Sequence, residues 1–202
     1  MDNLPDYQVE EYGYARRLDS RQKRFMSEIL EAHDIQTALD VGGSRGVLSE
    51  YLAEHGVQAF LTDINPHALR ETPENVFGVQ ADVSNLPFRD NAFDLVTCMH
   101  VLEHIQDWQT ALAELERVTA EGGHIALAYP WEPIRGLFAT VASKRMYGNI
   151  FHARKIHVHN LRAKHIDETI DSSGLSVVSH QFSFFDMPQT FTLLRKGDST
   201  SN

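Results

Sequence analysis

Cysteine is almost missing from this 202-residue chain, in which Cys98 is the single example. One thiol cannot form a disulfide within the chain, so the small, disulfide-stapled class of secreted domains is excluded. Cys98 lies in an apolar run with no base beside it, and we interpret it as a core residue. The acidic, polar start Met1-Asp2-Asn3 does not resemble a signal peptide. These features favour a cytoplasmic protein.

Long apolar runs are missing as well. No stretch approaches the roughly 20 apolar residues that a membrane-spanning helix needs, so we expect no span. Apolar residues make up 42% of the chain, which is ordinary for a globular protein with a substantial core. We expect one domain over 1–202, with an N-terminal arm and helix in 1–33 and a basic insertion or lid in 130–165.

Acidic residues are missing from one stretch, 133–165, although the whole chain has a formal net charge of −10. That net charge argues against nucleic-acid binding over the whole surface. The acid-free stretch also contains four histidines, His152, His157, His159 and His165. It also contains seven cations, and without them the net charge of the chain would be −17 (−10 minus 7). These cations are Arg135, Lys144, Arg145, Arg154, Lys155, Arg162 and Lys164.

Apolar residues alternate with these cations, and two interpretations stay open. An apolar face with cations suits an anionic or lipid-like acceptor, or peripheral contact with a membrane surface. The alternative is a solvated basic flap that neutralises an acidic body. A metal site built from His152, His157 and His159 is disfavoured, because no cysteine or carboxylate accompanies them. The apolar residues are Ile134, Leu137, Phe138, Val141, Met146, Tyr147, Ile150 and Phe151.

The segment Thr37–Gly46, TALDVGGSRG, organises the rest of the chain. An apolar run leads to Asp40, then to the glycines Gly42, Gly43 and Gly46, and then to a helical pattern. This order predicts a strand, a tight turn and a helix. A glycine-rich turn at a helix start presents backbone N–H groups and lets a ligand approach the main chain closely. The alternative is a turn that merely packs the helix tightly on a sheet.

A second acid supports the ligand-binding interpretation. The apolar run Val57–Thr62 ends at Asp63, about 20 positions past the glycines, where nucleoside-binding folds hold ribose hydroxyls. A carboxylate can accept hydrogen bonds from two neighbouring hydroxyls. The alternative is that Asp63 caps the next helix, since Asn65-Pro66 is also typical of a helix start.

Apolar periodicity predicts the remaining elements. Helices are expected over Leu18–His33, from Val47 to His55, over His67–Glu71, from Trp108 to Val118 ahead of Glu121-Gly122-Gly123, and over Lys164–Ser173. Further strands are expected over Val76–Ala81, Phe93–Met99, His124–Tyr129, Leu175–Phe185 and Thr190–Arg195, with Asp186-Met187-Pro188 as a hairpin-like connection.

Four runs together resemble the class I S-adenosylmethionine-dependent methyltransferases, within the small-molecule branch that contains quinone-biosynthesis enzymes. The runs are ALDVGGSRG, LTDI, ADVSNLPFRDNAFDLVTCMHVLEHI and LERVTAEGGHIALAYP. The resemblance is strong from Thr37 to Tyr129 and looser elsewhere. It implies an α/β fold with a Rossmann-like, doubly wound sheet of seven strands, mostly parallel with an antiparallel last strand. It implies S-adenosylmethionine as cofactor and a small-molecule methyl acceptor.

The resemblance also implies roles for particular residues. The cofactor-binding set is Asp40, Gly42, Gly43, Ser44, Gly46, Asp63, Ile64, Asp82, Val83 and His100. Within it, Asp82 faces the adenine amino group and Val83 offers backbone contacts; the alternative for Asp82 is a turn with Ser84-Asn85. His100 is expected near the cofactor methionine, and His104 in the first turn of the next helix, near the pocket mouth.

The same two histidines are the candidate catalytic residues. Transfer from a sulfonium needs alignment and exclusion of water rather than a nucleophilic triad, but an oxygen or carbon acceptor also needs a base. His100 or His104 can serve, with packing at a helix start as the alternative. The run His100-Val101-Leu102-Glu103-His104 also matches the H-x-x-E-H pattern of inverted zinc proteases. Because it follows a buried strand directly, we expect no metal.

Residues just past the fifth strand and in the basic stretch are candidates for acceptor binding. In an open parallel sheet, ligands bind beyond the carboxyl ends of the strands. Tyr129 and Trp131 are therefore candidate pocket walls, with simple packing as the alternative. Arg154 and Lys155 are the candidates for contacting an anionic acceptor.

One departure from the family turn favours a second functional hypothesis. The family pattern D-x-G-x-G-x-G has Ser44 at its middle glycine here, followed by Arg45. Ser44 either obstructs the carboxypropyl end of the cofactor or donates a hydrogen bond to its carboxylate, which Arg45 can attract. The alternative function is therefore a non-catalytic binding module with this fold. A nicotinamide dehydrogenase is disfavoured because the G-x-G-x-x-G spacing is not met.

Overall fold

The computed structural model describes residues 17–132, 134, 136–137, 139–140, 143–144, 148–184 and 188–198. The N-terminal arm expected over 1–15, and the connection at Asp186-Met187, lie outside the described residues. The same holds for four of the apolar residues named in the basic stretch, Phe138, Val141, Met146 and Tyr147. In the part of the chain that the structure describes, no helix has the length and apolarity needed to cross a membrane.

Seven strands form one sheet, in the order β3-β2-β1-β4-β5-β7-β6. All neighbouring strands from β3 to β5 are parallel, whereas β7 is antiparallel to both β5 and β6. The predicted doubly wound, mostly parallel seven-stranded sheet with an antiparallel last strand is therefore confirmed. The strands are β1 Thr37–Val41, β2 Gln58–Asp63, β3 Phe77–Gln80, β4 Phe93–Met99, β5 Thr119–Pro130, β6 Leu175–Ser183 and β7 Gln189–Lys196.

Helices cover both faces of this sheet, because side chains along each strand alternate between two apolar cores. In β1, Ala38 faces one core and Leu39 faces the other. The first core contains buried residues of α1 and α2, and the second those of α4 and α6. The helices are α1 Ser20–Ala32, α2 Val47–Glu54, α3 Pro66–Leu69, α4 Trp108–Val118, α5 Ala153–Ile156 and α6 Ala163–Ile170, with a 3₁₀ helix at Leu102–His104.

The predicted strand over His124–Tyr129 begins earlier in the structure. Strand β5 starts at Thr119, directly after α4, and runs through the Glu121-Gly122-Gly123 segment that we expected to be a helix break. A side chain at Gly123 would collide with the carbonyl oxygens of Ala120 and Asp94, so only glycine fits there. The pairing of β4 with β5 shifts register nearby, so this part of β5 is irregular. A pair of glycines is therefore compatible with an irregular strand as well as with a helix end.

The strand order fixes where the candidate site lies. It reverses between β1 and β4, and in open α/β sheets such a reversal leaves a crevice outside the carboxyl ends of the strands. The turn after β1 and His100 after β4 flank this point. Asp63 ends β2, and Trp131 follows β5. The topology therefore places residues from four strands along one edge of the sheet.

Helix α1 is anchored at this edge by a capping box. The Asp19 carboxylate accepts hydrogen bonds from the backbone N–H groups of Arg21, at 2.8 Å, and Gln22, at 2.9 Å. The Gln22 side chain accepts one in return from the Asp19 N–H. Such a pair satisfies amides at the helix start that have no partner within the helix.

We predict that Asp19→Ala lowers the free energy of unfolding by about 1–2 kcal/mol, because the α1 amides lose their acceptor. Arg24→Ala on the same helix is the control, since its side chain is 81% exposed in an i,i+4 pair with Glu28. That change should stay within about 0.5 kcal/mol. Urea unfolding followed by circular dichroism measures both. Equal losses in the two variants would contradict a specific contribution from the cap.

Candidate active site at the carboxyl edge of the sheet

The turn between β1 and α2 is closed onto the end of β2. The backbone N–H groups of Gly42 and Gly43 both donate to the Thr62 carbonyl, at 2.7 and 3.2 Å. Gly42 and Gly46 have φ angles of 70° and 81°, in the left-handed region that favours glycine. The N–H groups of Gly42 and Gly43 are therefore bonded to a neighbouring strand.

Asp40 lies beneath this turn and is almost inaccessible to solvent. Its carboxylate accepts hydrogen bonds from the hydroxyls of Ser49 in α2 and Thr97 in β4, both at 2.8 Å. Burial raises the pKa of Asp40 to about 6, although these two hydroxyls act in the opposite direction. A side chain at Gly43 would collide with the Asp40 carboxylate, so the glycine allows the turn to lie directly on the acid.

Asp63 holds the other side of the turn. Its Oδ2 accepts from the Ser44 N–H at 2.8 Å, and its Oδ1 accepts from the Asn65 N–H at 2.7 Å. Burial raises the pKa of Asp63, against these two backbone hydrogen bonds. The cap of α3 is Asn65, whose side chain accepts from the His67 N–H, so Asp63 does not cap that helix. Each carboxylate oxygen has a second lone pair, so the ribose role stays a prediction.

Ser44, the departure from the family turn, has a φ of 55°, which is uncommon for a residue with a side chain. Its hydroxyl oxygen is buried and has no hydrogen-bond partner among the described residues. A buried polar atom at a ligand-facing turn fits a site that receives a polar group. The neighbouring Arg45 forms an ion pair with Glu71 at 3.2 Å. Ser44 therefore stands at the centre of the turn, where the family pattern has a glycine.

The residues expected around adenine lie beyond β2 and β3. Ile64 is 41% exposed, whereas Val83 is buried. Asp82 is exposed, and its Oδ1 accepts from the Ser84 N–H at 2.8 Å, which is the turn contact that we considered as the alternative. That hydrogen bond occupies one side of the carboxylate only, so the roles of Asp82, Val83 and Ile64 stay predictions.

His100 ends β4 with a φ of 58°, and its ring is fixed by two neighbours. Nε2 lies 2.8 Å from Oε1 of Gln189, and Nδ1 lies 3.4 Å from Oε1 of Glu103. The Gln189 amide nitrogen donates to Asp19 at 3.2 Å, so its oxygen is the atom that faces His100. Burial lowers the pKa of His100, but Glu103, Gln189 and Asp19 together more than offset this, and the net pKa is raised.

Sequence reasoning missed Gln189 and Asp19. Gln189 begins β7 and lies 89 positions from His100, and no pattern in the sequence connects the two. The capping-box motif of Asp19 and Gln22 is visible in the sequence, but it predicts only a helix start. It does not predict that Asp19 lies at the site near His100. The antiparallel pairing of β7 with β5 brings Gln189 beside Pro130 and thus to this edge.

His104 differs from our expectation. It ends the separate 3₁₀ helix, while α4 begins at Trp108 with Asp107 as its cap, so His104 is not in the first turn of that helix. Its Nδ1 lies 2.8 Å from the Ile156 carbonyl, and its Nε2 lies 3.9 Å from Oε1 of Glu103. Because a carbonyl only accepts, Nδ1 carries the proton. Burial lowers the pKa of His104 against the opposing charge of Glu103, so the ring is neutral at pH 7.

The candidate acceptor-binding residues are split between core and surface. Tyr129 is buried in the core and its hydroxyl bonds to Thr192 at 2.9 Å, so the structure places it inside the packing and not on an open wall. Burial raises the pKa of Tyr129 to about 12. Trp131 is half-buried against the rings of Phe182 and Phe184. Arg154 and Lys155 in α5 are exposed.

A family model described as a methyltransferase domain matches residues 39–127, which contain the turn, both acids and both histidines. This segment belongs to the methyltransferase domain family. The demethylmenaquinone methyltransferase of Corynebacterium urealyticum is 39% identical over 104 residues, covering 51% of this chain and 45% of its own. That of Renibacterium salmoninarum is 33% identical over 144 residues, covering 69% and 60%. The chain therefore spans about half the length of the curated relatives it matches.

The methyltransferase domain also has solved structural neighbours. The N-methyltransferase NodS from Bradyrhizobium japonicum, solved in complex with S-adenosyl-L-homocysteine, has a TM-score of 0.64. It is 17% identical and covers 87% of this chain and 85% of its own. At this identity the likeness concerns the fold. The resemblance to methyltransferases that the sequence suggested is confirmed for residues 39–127.

Within the methyltransferase domain, the buried acid gives a pH-dependent prediction. The folded state holds the Asp40 proton up to about pH 6, whereas the unfolded chain releases it near pH 3.9. The contribution of Asp40 to stability therefore falls as the pH rises between these values. Asp40→Asn cannot lose a proton there, so its free energy of unfolding should rise relative to wild type by about 2 kcal/mol from pH 4 to pH 7. Urea unfolding at both pH values measures this, and a constant difference would contradict it.

Proposed function

We propose that this protein is an S-adenosylmethionine-dependent methyltransferase that acts on a small molecule. The observation that carries the proposal is the closed β1–α2 turn with Asp63 beside it and His100 opposite, at the point where the strand order reverses. The buried Ser44 hydroxyl and the close packing of Gly43 on Asp40 fit a cofactor that lies along this turn. The family of the domain supports the same proposal.

In this proposal each element at the edge holds one part of the cofactor. Asp63 accepts from the ribose hydroxyls, Ile64 and Val83 flank the adenine, and Asp82 faces the adenine amino group. The methionine portion follows the turn. The turn residues along this portion are Gly42, Gly43, Ser44 and Gly46, and Asp40 lies beneath them. When bound, the cofactor supplies an electrophilic methyl group whose thioether leaving group needs no protonation.

The residues of this chain then orient the acceptor, exclude water and supply a base. A neutral imidazole is needed to accept a proton from an oxygen or carbon acceptor, and His104 has its pKa lowered by burial. His100 is fixed by Gln189 and Glu103, which suits orientation of the acceptor more than proton removal. Val101 packs against Gly42 and covers the turn from one side, which limits access of water.

We infer that the acceptor is anionic or lipid-linked. Exposed apolar side chains cluster around the cations of the basic stretch, with Phe151 at 88% and Ile150 at 51% exposure, next to Arg154 and Lys155. Phe184, at 69% exposure, packs beside the candidate pocket wall Trp131. The curated relatives carry the name demethylmenaquinone methyltransferase, which supports an acceptor of that kind.

We predict that Asp63→Ala lowers the affinity for S-adenosylmethionine and S-adenosylhomocysteine by about 1–3 kcal/mol, because hydrogen bonds to a charged group are lost. Isothermal calorimetry measures both ligands. Glu54→Ala, an exposed carboxylate at the end of α2, is the control and should leave both affinities unchanged. Absence of any binding to the wild-type protein would refute the proposed cofactor. Binding of the cofactor without methyl transfer to any acceptor in a radiolabel screen would instead favour the non-catalytic binding module.

For the acceptor, we predict that Arg154→Glu combined with Lys155→Glu raises the KM for an anionic acceptor several-fold and leaves cofactor affinity unchanged. The matched control is Arg89→Glu with Arg195→Glu, which reverses two charges at the opposite end of the sheet. Turnover of labelled S-adenosylmethionine with quinone-like and anionic acceptors measures the effect. Unchanged kinetics in the first pair would refute the role of these cations.

A further inference from the structure

One group of side chains lies where the 3₁₀ helix meets the basic stretch, and neither the proposed cofactor site nor the acceptor surface uses it as a whole. One ligand atom from each of Glu103, His104 and His157 lies within 4.8 Å of the others. We propose that these three residues form a binding site for a divalent metal ion of the zinc type. The proposal does not rest on methyl transfer, since the ion would bind without cofactor or acceptor; when bound, it would take the His104 lone pair that the proposed base uses.

The buried acid is the strongest evidence. Glu103 is only 1% exposed, and neither of its carboxylate oxygens has a hydrogen-bond partner among the described residues. Its Oε1 lies 3.4 Å from His100 Nδ1 and 3.9 Å from His104 Nε2, which is longer than the usual separation in charge-assisted hydrogen bonds. These two long contacts satisfy the buried carboxylate only in part, and a bound cation would complete its pairing.

The two imidazoles are oriented as metal ligands usually are. His104 Nδ1 donates to the Ile156 carbonyl at 2.8 Å, and His157 Nδ1 bonds to Oε1 of the buried Glu132 at 3.0 Å. In both rings Nδ1 faces an acceptor oxygen, so Nε2 is the nitrogen through which the ring would bind an ion. Histidines that bind metals almost always give their other ring nitrogen to a carbonyl or carboxylate in this way. The two ring centres are 5.0 Å apart.

The backbone explains why residues 54 positions apart meet. The N–H groups of Val158 and His159 both donate to the Glu103 carbonyl, at 2.8 and 3.1 Å. This contact fixes His157 beside the 3₁₀ helix. Ligand atoms on a tetrahedral zinc ion are about 3.3 Å apart. Since the ligand atoms of the group lie within 4.8 Å of one another, they have to approach by up to about 1.5 Å on binding.

The donor set selects the class of ion. Two imidazole nitrogens and one carboxylate oxygen suit zinc and similar transition metals, and leave the fourth position for water or for an oxygen of an acceptor. The site differs from the two that the sequence suggested. Of the H-x-x-E-H pattern, His100 is bound to Gln189 instead, and of the three basic-stretch histidines, His159 bonds to the Gln106 carbonyl. The expectation of no metal is the one that this proposal revises.

The test is a zinc titration of tag-free, chelator-dialysed protein against a chromophoric zinc indicator. We expect one ion per chain, bound at least 10-fold more weakly by His157→Gln and by Glu103→Gln. His159→Gln is the matched control, because it removes a neighbouring imidazole outside the group, and it should bind as wild type. Cobalt should give the visible absorption of a tetrahedral site in the wild type and lose it in His157→Gln.

Circular dichroism identifies variants that do not fold. If Glu103→Gln fails to fold, His157→Gln decides alone, because its ring is at the margin of the group. Glu132→Gln gives an independent readout, since weakening the orientation of His157 should reduce zinc affinity about 10-fold or more. The proposal is overturned if the wild type binds no stoichiometric ion, or if His159→Gln loses as much affinity as His157→Gln.

Discussion

The candidate site depends on the attachment of one tight turn to the end of a neighbouring strand. The Thr62 carbonyl receives two amides of the turn, and the Asp63 carboxylate receives a third from Ser44. These bonds extend the parallel pairing of β1 with β2 beyond the last paired residues, Val41 and Thr62. The position of α2, and of every side chain facing the turn, follows from this attachment. An acid that orders the protein's own backbone is thereby also presented at the surface of the crevice.

A buried polar network lies directly under that turn. Asp40 connects β1 to α2 through Ser49 and to β4 through Thr97, across the point where the strand order reverses. Hydrogen bonds in such a dry region are strong when complete and expensive when broken, so the network fixes one arrangement of the three elements. The raised pKa of Asp40 is the electrostatic cost of placing an acid there. The burial of Asp40 under the turn therefore both makes the turn rigid and raises the pKa of its carboxyl group.

The sequence predicted the parts of the site that strands and turns determine locally. Asp63 was expected at this edge because it ends an apolar run, and His100 because the family resemblance places it at the end of the fourth strand. The sequence did not predict the contacts between distant segments. Nothing local indicates that Gln189 fixes His100, or that His157 meets Glu103. The use of the turn amides by Thr62 was also missed, because a glycine pattern shows where a backbone can turn and not which carbonyl it will meet.

The basic stretch is attached to the rest of the protein by main chain as well as side chains. The Glu103 carbonyl receives both amides, from positions 158 and 159, and this contact uses only the peptide groups of those positions, whereas the His159 ring makes a separate bond to the Gln106 carbonyl. Every amino acid except proline supplies such an N–H group. During evolution, most substitutions at these two positions therefore preserve the attachment. New side-chain chemistry can be sampled there while the scaffold keeps its geometry.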